Sequence, residues 1–392
     1  MPTRQNIWCV LGTRPEAIKL APVIQELRRH PEHCQVTVCL TGQHREMIAP
    51  LVELFDLRPD LDLAIMKPSQ RPTEVLAALI EKLGILWQTK APDWVLVQGD
   101  TTTTLAAALA AFYAKAKVAH VEAGLRTGDR QQPFPEEINR RLVTQVADVH
   151  FAPTAAARQN LLDERIAEEA IEFTGNTVVD TLQWATRQLV SSAGPLPDLL
   201  ARLNPARKLI LLTCHRRENH GKPLDRVLSA VARLARRHEG RIEFVFPVHP
   251  NPAVQKVAGA YLEQLSNVHL IEPLPYLEMI HLLKQCWLVM TDSGGLQEEA
   301  PSLGVPVLVL REKTERPEAV EAGMAQLVGT DAGVIAAVVE SLLLNDDLHA
   351  AMSRPASPFG DGRAAQRIAR RLLLGAPAVS PASVPNLEPI FA

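Results

Sequence analysis

Short apolar runs alternate with longer helical patterns along most of this 392-residue chain, and that alternation limits the fold more than any other feature. A strand that is apolar throughout must be covered on both faces, as strands are in parallel sheets packed between helices. The first series of strands is predicted at residues 7–11, 35–40, 94–98, 118–121, 149–152 and 171–174. The second series is predicted at residues 208–213, 242–247, 268–271, 287–291 and 305–310. Two such series predict two doubly wound, Rossmann-like α/β domains.

The boundary between the two series is predicted between Gly175 and Pro205, where the segment SSAGPLPDLL interrupts the pattern with Gly and Pro. We therefore predict a first domain over residues 1–175 and a second over 176–360. A last helical pattern at residues 363–374 follows the turn-rich segment SRPASPFGDG. Residues 376–392 are rich in Pro and Ala without periodicity, which predicts a disordered tail.

The charge balance excludes several classes of partner. The chain has 41 Lys and Arg against 44 Asp and Glu, so it offers no general attraction for nucleic acid or an anionic membrane. The five cysteines form no CxxC pair, which predicts buried thiols of a reducing compartment. The apolar stretch before Gly12 is too short for a signal peptide, and no run has the ~18 apolar residues of a membrane span. We expect a cytoplasmic, soluble protein that binds anions through local basic groups.

The turn after the first strand reads GTRPEAIKLAP and predicts an anion site. In open parallel sheets, ligands bind beyond the carboxyl ends of the strands. Arg14 and Lys19 flank a helix N-terminus there, a favourable place for negative charge, although a routine turn with solvated basic residues is an alternative. Gly12 stands alone where the GxGxxG pattern of dinucleotide-binding proteins would need three glycines, which argues against NAD.

Acidic residues follow the strands at 94–98 and 118–121. Asp100 and Glu122 are predicted at neighbouring strand ends, where like charges would raise one pKa and suit acid–base catalysis. A helix cap is the alternative for Asp100. Glu136 opens a helix in PFPEEINRR, a position that the helix dipole also favours. Residues 60–62 spell DxD, a nucleotide-sugar motif of some glycosyltransferases, but lie between a helix and a short apolar run and are predicted to be a surface connection.

Basic residues follow the first two strands of the second series. The segment CHRREN places His215, Arg216 and Arg217 at one strand end, which makes it a candidate anion site, whereas a lone His is usually structural. His249 follows the next strand in PVHPNP, with less support.

The segment TDSGGLQEEAPSLGVP carries the sharpest local signal of the second series. Ser293, Gly294 and Gly295 are predicted to present backbone N–H groups at a helix start, which cradles a diphosphate without metal. Glu299 lies one helical turn beyond and suits ribose hydroxyls. Arg316 precedes another helix that Pro starts. The alternative is a Gly-rich turn with a solvated glutamate.

Nine segments together resemble the non-hydrolysing UDP-N-acetylglucosamine 2-epimerases. They are GTRPEAIKLAP, TGQHREM, GDTTTTLAAALAAFY, HVEAGLRTGD, PFPEEINRR, TGNTVVDTL, HRREN, TDSGGLQEEAPSLGVPVLVLR and TERPEAV, between about residues 7 and 368. The resemblance implies the two-domain glycosyltransferase-B type of fold, with the active site in the interdomain cleft. It also implies that residues 361–375 return to complete the first domain, and that the protein is a homodimer.

The resemblance also implies roles for individual residues. Asp100, Glu122 and Glu136 would serve acid–base chemistry, and His215 would act on the leaving diphosphate. Arg14 and Lys19 would belong to the substrate site. The residues that it assigns to UDP are Ser293, Gly294, Gly295, Glu299 and Arg316.

Some positions depart from the family pattern. Gln98 replaces the histidine of the common HGDTTTT segment, and Leu274 stands where a glutamine is expected. Met279 stands where a phenylalanine would lie near the uracil. Some members bind a second UDP-GlcNAc as an allosteric activator, for which Gln43, His44 and His249 are the candidates here. Ser69 replaces the arginine expected at that activator site.

The implied reaction interconverts UDP-GlcNAc and UDP-ManNAc. The hydrogen on carbon 2 has no neighbouring carbonyl. One route would oxidise carbon 3 with NAD, but the sequence lacks the NAD fingerprint. The other route first expels UDP and forms 2-acetamidoglucal, and it needs neither NAD nor metal. Cationic groups around the diphosphate, among them Arg216, and carboxylates near both faces of carbon 2 suit this route. The alternatives are a hydrolysing 2-epimerase that releases ManNAc and UDP, a 2-epimerase of a related UDP-N-acetylhexosamine, a glycosyltransferase, and a silent nucleotide-sugar sensor.

Overall fold

The computed structural model describes residues 4–67, 70–190, 197–214, 216, 219–354 and 357–374, apart from the side chains of residues 197, 198 and 200. The predicted tail 376–392, Ser69 and the candidates His215 and Arg217 lie outside these residues. The chain divides into two compact units. The first runs to Thr181 and takes up the chain again at Phe359, and the second runs from Leu182 to Pro358.

The first unit is built on a parallel sheet. Its strands are β1 (Gln5–Leu11), β2 (Cys34–Leu40), β3 (Leu61–Asp62), β4 (Trp94–Gln98), β5 (Lys117–Val121), β6 (Val149–Ala152) and β7 (Ile171–Phe173), in the order β3-β2-β1-β4-β5-β6-β7. Its helices are α1 (Arg14–Arg28), α2 (Arg45–Leu54), α3 (Pro72–Thr89), α4 (Thr102–Tyr113), α5 (Glu136–Val146), α6 (Ala155–Asp163), the start of α7 (Thr177–Val190) and the last helix of the described chain, α16 (Ala364–Leu374). A 3₁₀ turn spans Glu168–Ala170.

The second unit repeats this architecture. Its strands are β8 (Lys208–Thr213), β9 (Ile242–Pro247), β10 (Val268–Ile271), β11 (Leu288–Thr291), β12 (Val307–Val309) and β13 (Ala325–Leu327), in the order β10-β9-β8-β11-β12-β13. Its helices are the remainder of α7, α8 (Pro197–Arg202), α9 (Lys222–Arg237), α10 (Pro252–Leu262), α11 (Tyr276–Gln285), α12 (Gly294–Ser302), α13 (Pro317–Glu321), α14 (Ala332–Leu344) and α15 (Asp346–Met352).

The prediction of two doubly wound, Rossmann-like sheets is confirmed. Every strand pair in the described chain is parallel, and both sheets reverse their order beside their first strand, between β1 and β4 and between β8 and β11. Two short edge strands, β3 and β13, were not predicted, because two or three residues give no readable period. The prediction that residues 60–62 form a surface connection is wrong for Leu61 and Asp62, which pair with β2 as strand β3.

Small and apolar side chains let helices lie close to the first sheet. On α4, Ala106, Ala107 and Ala111 are fully buried against the apolar side chains of β4 and α3. This packing brings the start of α4 to the edge where the strands end. The five cysteines are all buried free thiols, as predicted. Within the described residues, no helix combines the length and the apolar character that a bilayer crossing requires.

The first unit ends inside α7, at Thr181. The Thr181 hydroxyl donates to the carbonyl of Ile18 at 2.7 Å, which fastens the first turns of α7 to α1. One residue before Thr181, the Asp180 carboxylate accepts the backbone N–H groups of Ala364 at 3.2 Å and Ala365 at 2.9 Å. Asp180 therefore caps the N-terminus of α16, which packs against α1.

Asp180 and Asp331 perform the same capping task in opposite surroundings. Burial raises the pKa of Asp180 to about 6, although the capped N–H groups oppose the shift. The exposed carboxylate of Asp331 accepts the N–H groups of Val334 and Gly333 at the start of α14, and these bonds lower its pKa. The two caps therefore predict opposite pH dependences of stability.

We expect the difference in melting temperature between the wild type and each variant to change with pH, in opposite directions for Asp180→Asn and Asp331→Asn, between about pH 3 and pH 8. Because the folded state favours protonated Asp180, the wild-type protein loses stability relative to Asp180→Asn as pH rises from 3.8 through about 6. The Asp331 carboxylate contributes stability that is present above its unfolded pKa and is lost as pH falls through its lowered folded pKa. As pH rises through that range, the melting temperature of Asp331→Asn therefore drops further below that of the wild type. Calorimetry measures both differences in melting temperature. If both changed with pH in the same direction, the opposite pH dependences assigned to the two caps would be contradicted.

Candidate functional site

The turn after β1 is closed by a buried carboxylate. The backbone N–H groups of Gly12 and Thr13 donate to Glu16 Oε2 at 2.8 and 2.6 Å. A Cβ on Gly12 would lie 2.0 Å from the hydroxyl of Thr103, so only glycine fits there. Arg14 is half-buried at the first position of α1, beside this turn. The predicted helix start with a basic residue is therefore present.

A buried ion pair joins α1 to the end of β5. Lys19 Nζ lies 2.6 Å from Glu122 Oε2, and the Gln98 amide donates to the same oxygen. Glu122 has φ +65°, in the left-handed region that a non-glycine residue enters at a cost of about 1–2 kcal/mol. Strained backbone of this kind is common at functional sites. The structure thus brings together two residues that the sequence predicted as separate candidates, Lys19 and Glu122.

Asp100 is held by an arginine from another helix. Arg140, on α5, donates to Asp100 Oδ2 through both Nη2 and Nε, the latter at 3.1 Å. The Asn139 amide donates to the Asp100 carbonyl at 2.9 Å. The N-cap of α4 is Thr101, whose hydroxyl accepts the N–H of Thr104, so the capping alternative for Asp100 is wrong. The Asp100 side chain remains one quarter exposed.

The two carboxylates lie at the ends of paired strands, as predicted. Gln98, the last residue of β4, pairs with Val121, the last residue of β5. The sequence suggested that Asp100 and Glu122 would perturb each other as like charges. The structure gives each carboxylate its own cation, Arg140 for Asp100 and Lys19 for Glu122.

The start of α5 contains two glutamates in different surroundings. Glu136, the predicted candidate, is half-buried. Glu137 is fully buried and binds Arg140 at 3.3 Å and Arg141 at 2.9 Å. Its Oε2 also accepts the backbone N–H of Thr127 at 3.1 Å. Glu137 therefore orients the same arginine that holds Asp100.

In the second unit, the turn after β11 leads directly into α12. This helix begins at Gly294 with Ser293 as its N-cap, as the sequence predicted. The preceding Asp292 is fully buried, and its Oδ2 accepts the N–H of Arg216 and the amide of Asn219, both at 2.9 Å. Asp292 thus fastens the turn after β8 to the turn that starts α12.

An arginine-rich cluster lies against the start of α12. The Arg316 guanidinium donates from Nε to Glu298 at 2.6 Å and from Nη1 to Glu315. Arg311, at 2.9 Å, and Arg216, at 3.7 Å, also approach the Glu315 carboxylate. Three guanidinium groups therefore converge on one buried carboxylate beside the positive end of a helix, an arrangement suited to a polyanion.

The remaining candidates of the second unit lie on α11, on α12 and after β9. Glu299 is buried on α12, and Met279 is half-buried on α11. His249 is exposed and its Nδ1 accepts the N–H of Asn251 at 3.1 Å. His215 lies outside the described residues.

The remaining candidates of the first unit follow β2. Gln43 is half-buried, and its Oε1 accepts the hydroxyl of Thr103 at 2.8 Å. His44 is exposed at the N-cap position of α2. Gln43 therefore contacts the first turn of α4, two residues from the cap Thr101.

Sequence reasoning did not find Glu16, Arg140, Glu298 or Glu315 as parts of the site. Glu16 stands in the first turn of α1, where the helix dipole favours a carboxylate, so its position in the sequence already has a local explanation. The spacing of Glu137 to Arg140 in EEINRR is the i, i+3 signal of a helical ion pair and could have indicated that arginine. Across the described residues, no group of three or more His, Cys, Asp or Glu side chains is arranged to hold a metal ion.

Together, the first unit presents two carboxylates with adjacent cations, which suits proton transfer. The second unit presents a helix start and arginines, which suits a phosphorylated ligand.

Comparisons with known proteins identify one family throughout. The sequence pattern of the family described as UDP-N-acetylglucosamine 2-epimerase matches residues 25–373. The UDP-N-acetylglucosamine 2-epimerase of Escherichia coli K12 is 49% identical over 370 residues, which covers 94% of this chain and 98% of that protein. The protein of the same name from Salmonella typhimurium is 48% identical with the same coverage.

Solved structures agree. The UDP-GlcNAc 2-epimerase of Neisseria meningitidis, bound to UDP-GlcNAc, is 43% identical with a TM-score of 0.89, covering 94% of this chain and 99% of that one. The enzyme from Methanocaldococcus jannaschii, in complex with UDP-GlcNAc and UDP, is 35% identical with a TM-score of 0.82 and the same coverage. These similarities confirm the predicted glycosyltransferase-B class of fold.

The neighbouring glycines at the start of α12 provide a test of the arginine cluster. A Cβ on Gly294 would lie 2.6 Å from Arg316 Nη1, whereas a Cβ on Gly295 would meet nothing nearer than 4.0 Å. We expect Gly294→Ala to lower the free energy of unfolding by about 1–3 kcal/mol through displacement of the guanidinium. Gly295→Ala should leave it unchanged or raise it by up to about 1 kcal/mol. Urea unfolding of both variants measures the difference, and equal effects would contradict the close contact.

Proposed function

Because this chain belongs to the UDP-N-acetylglucosamine 2-epimerase family, we propose that it interconverts UDP-GlcNAc and UDP-ManNAc by inverting carbon 2. The observation that carries the proposal is the pair of carboxylates at the ends of β4 and β5, each beside its own cation. Binding of a nucleotide sugar alone would not call for two such pairs at adjacent strand ends.

The proposed route begins with departure of the nucleotide. The bond between carbon 1 and the diphosphate oxygen breaks, a carboxylate takes the proton from carbon 2, and the electron pair of that C–H bond forms the double bond of 2-acetamidoglucal. A proton is then delivered to the opposite face of carbon 2. The β-phosphate oxygen of UDP re-forms its bond to carbon 1, which gives the inverted UDP-sugar without net gain or loss of atoms.

The first unit supplies the proton-transfer groups in this proposal. Asp100 and Glu122 serve as one acceptor and one donor, and they exchange roles in the reverse reaction. Arg140 and Lys19 lie against their partner carboxylates and fix the orientation of both groups. Glu136, at the start of α5, is the third carboxylate proposed for the site.

The second unit holds UDP in this proposal. The start of α12, with Ser293, Gly294 and Gly295, offers backbone N–H groups to the diphosphate, and Arg316 lies directly against it. Preorganised donors of this kind stabilise developing negative charge by a few kcal/mol each, because they need no rearrangement when the bond breaks. Glu299 is proposed to bind the ribose hydroxyls.

Three further assignments complete the UDP site. Arg216 is proposed to bind the diphosphate, His215 is proposed to act on the leaving diphosphate, and Met279 is proposed to pack near the uracil. The route has no net oxidation, so the proposal includes no NAD. It assigns the diphosphate charge to the start of α12 and to Arg316, and therefore includes no metal ion.

We also propose that the protein acts as a homodimer through one end of its first unit. Phe112 and Tyr113, at the end of α4, are 57% and 78% exposed. Ile85 on α3 and Leu142 on α5 are also exposed, and both helices pack against α4. Large apolar side chains grouped on neighbouring helices are typical of a protein–protein interface.

We expect Asp100→Asn and Glu122→Gln each to lower kcat by about 10²–10⁴-fold, because each removes a proton-transfer group. The assay is NMR of UDP-GlcNAc incubated with the protein alone in D₂O, where the wild type should form UDP-ManNAc and place deuterium at carbon 2. Asp56→Asn makes the same change at an exposed turn and should leave kcat unaltered.

The same experiment separates the alternatives. Accumulation of free ManNAc and UDP would identify a hydrolysing enzyme, and turnover near that of the wild type in both variants would overturn the roles of Asp100 and Glu122. No conversion by the wild type would overturn the proposed function.

The dimer proposal has its own test. We expect Phe112→Glu combined with Tyr113→Glu to convert the dimer into a 43.0 kDa monomer, since charge would enter the apolar face. Val334→Glu, at an exposed apolar position on α14 of the second unit, is the matched control and should remain dimeric. Sedimentation velocity distinguishes the species, and a monomeric wild type would contradict the proposal.

A further inference from the structure

Glu16 is a fully buried carboxylate that the proposed chemistry does not use. It lies in the first turn of α1, between the turn that carries Arg14 and the residue Lys19. Its Oε2 accepts the N–H of Gly12 at 2.8 Å, and the N–H and hydroxyl of Thr13 at 2.6 and 2.9 Å. These bonds close the turn after β1.

The other oxygen of Glu16 reaches a different turn. Oε1 accepts the hydroxyl of Thr101 at 2.7 Å and lies 3.1 Å from the hydroxyl of Thr104. Thr104 has a single hydroxyl proton, and the carbonyl of Gln98 lies closer to it, at 2.6 Å. Thr101 is therefore the donor committed to Glu16, and it directly follows Asp100.

A local role at the start of α1 accounts for only half of these bonds. A glutamate at the third helical position commonly accepts the N–H of the cap residue, which explains the contacts of Oε2. It does not explain why Oε1 binds Thr101, which is 85 residues away on another helix. Burial raises the pKa of Glu16, and the hydrogen bonds from both turns oppose that shift. The carboxylate therefore depends on both turns.

Resting on the function proposed above, we propose that Glu16 is a positioning residue that locks the turn carrying Arg14 to the turn carrying Asp100. Through its two oxygens, it fixes the separation between a cation of the substrate site and a proton-transfer carboxylate. Lys19 lies three residues further along the same face of α1 and binds Glu122. Side chains of one helix therefore contact both Glu122 and the turn that carries Asp100. A shift of about 1 Å between such groups can cost about 10²-fold in rate.

The link can be cut at Thr101 without removing the buried carboxylate. Glu16→Ala would leave two buried N–H groups without an acceptor and could fail to fold. Thr101→Val removes the hydroxyl that reaches Glu16, and Thr101→Ser retains it. Because Thr101 also caps α4, Thr154→Val is the matched control, since Thr154 caps α6 through the same bond to Ala157.

We expect Thr101→Val to lower kcat about 10–100-fold with KM changed by less than about threefold, while Thr101→Ser and Thr154→Val stay near the wild type. Glu16→Gln should also lower kcat. The double variant with Thr101→Val should lose little more than the larger single loss, because both changes cut one link. Additive losses, or an equal loss in Thr154→Val, would overturn the proposal.

Hydrogen exchange tests the link independently of catalysis. Thr101 reaches the N–H groups of Gly12 and Thr13 only through Glu16 in this network, so Thr101→Val should speed their exchange about tenfold, and Thr154→Val should not. Unchanged exchange would overturn the inference even if the wild type is active. A wild type that leaves UDP-GlcNAc unconverted, but shows the coupled exchange, would overturn the proposed function and leave the link supported.

Discussion

The parallel direction of the strands is the constraint on which the candidate site depends. When every pair in a sheet is parallel, all the carboxyl ends meet at one edge, and each is followed by a turn into a helix N-terminus. In the first sheet, the order reverses beside β1, so the turn after β1 lies next to the turns after β4 and β5. Residues far apart in sequence, such as Lys19 and Glu122, then meet at 2.6 Å.

Burial at this edge makes ion pairing a requirement. An isolated carboxylate away from water would protonate, since desolvation disfavours the charged form. Lys19 with Glu122, and Arg316 with Glu298, are pairs in which both members are buried. Such pairs add little to stability, because desolvation offsets the attraction between the charges. They do keep charged groups at fixed positions without solvent, a condition for the electrostatic catalysis proposed here.

The sequence predicted the fold well, because wholly apolar strands and helix starts leave local signals. It also placed Asp100 and Glu122 at neighbouring strand ends, since that follows from strand direction alone. It could not show that Arg140 holds Asp100, because that bond joins residues on different elements. The bond from Thr101 to Glu16 also joins residues on different elements, so the sequence could not show it. The position of Glu16 in the first turn of α1 already has a local explanation in the helix dipole. Local pattern does not locate the end of the first unit more closely than the interval 175–205, because α7 continues unbroken past Thr181.

The ion pair of Glu122 is compatible with proton transfer rather than opposed to it. An ionised carboxylate offers about four acceptor positions, and the bonds from Lys19 and Gln98 fall on one oxygen, Oε2. Those two bonds hold Oε2 and so fix the orientation of the group. The left-handed backbone of Glu122 has the same effect, because it sets the direction in which the side chain leaves the strand. In the proposed reaction, folding has therefore oriented the carboxylate before the sugar arrives, and the chemical step needs little further rearrangement.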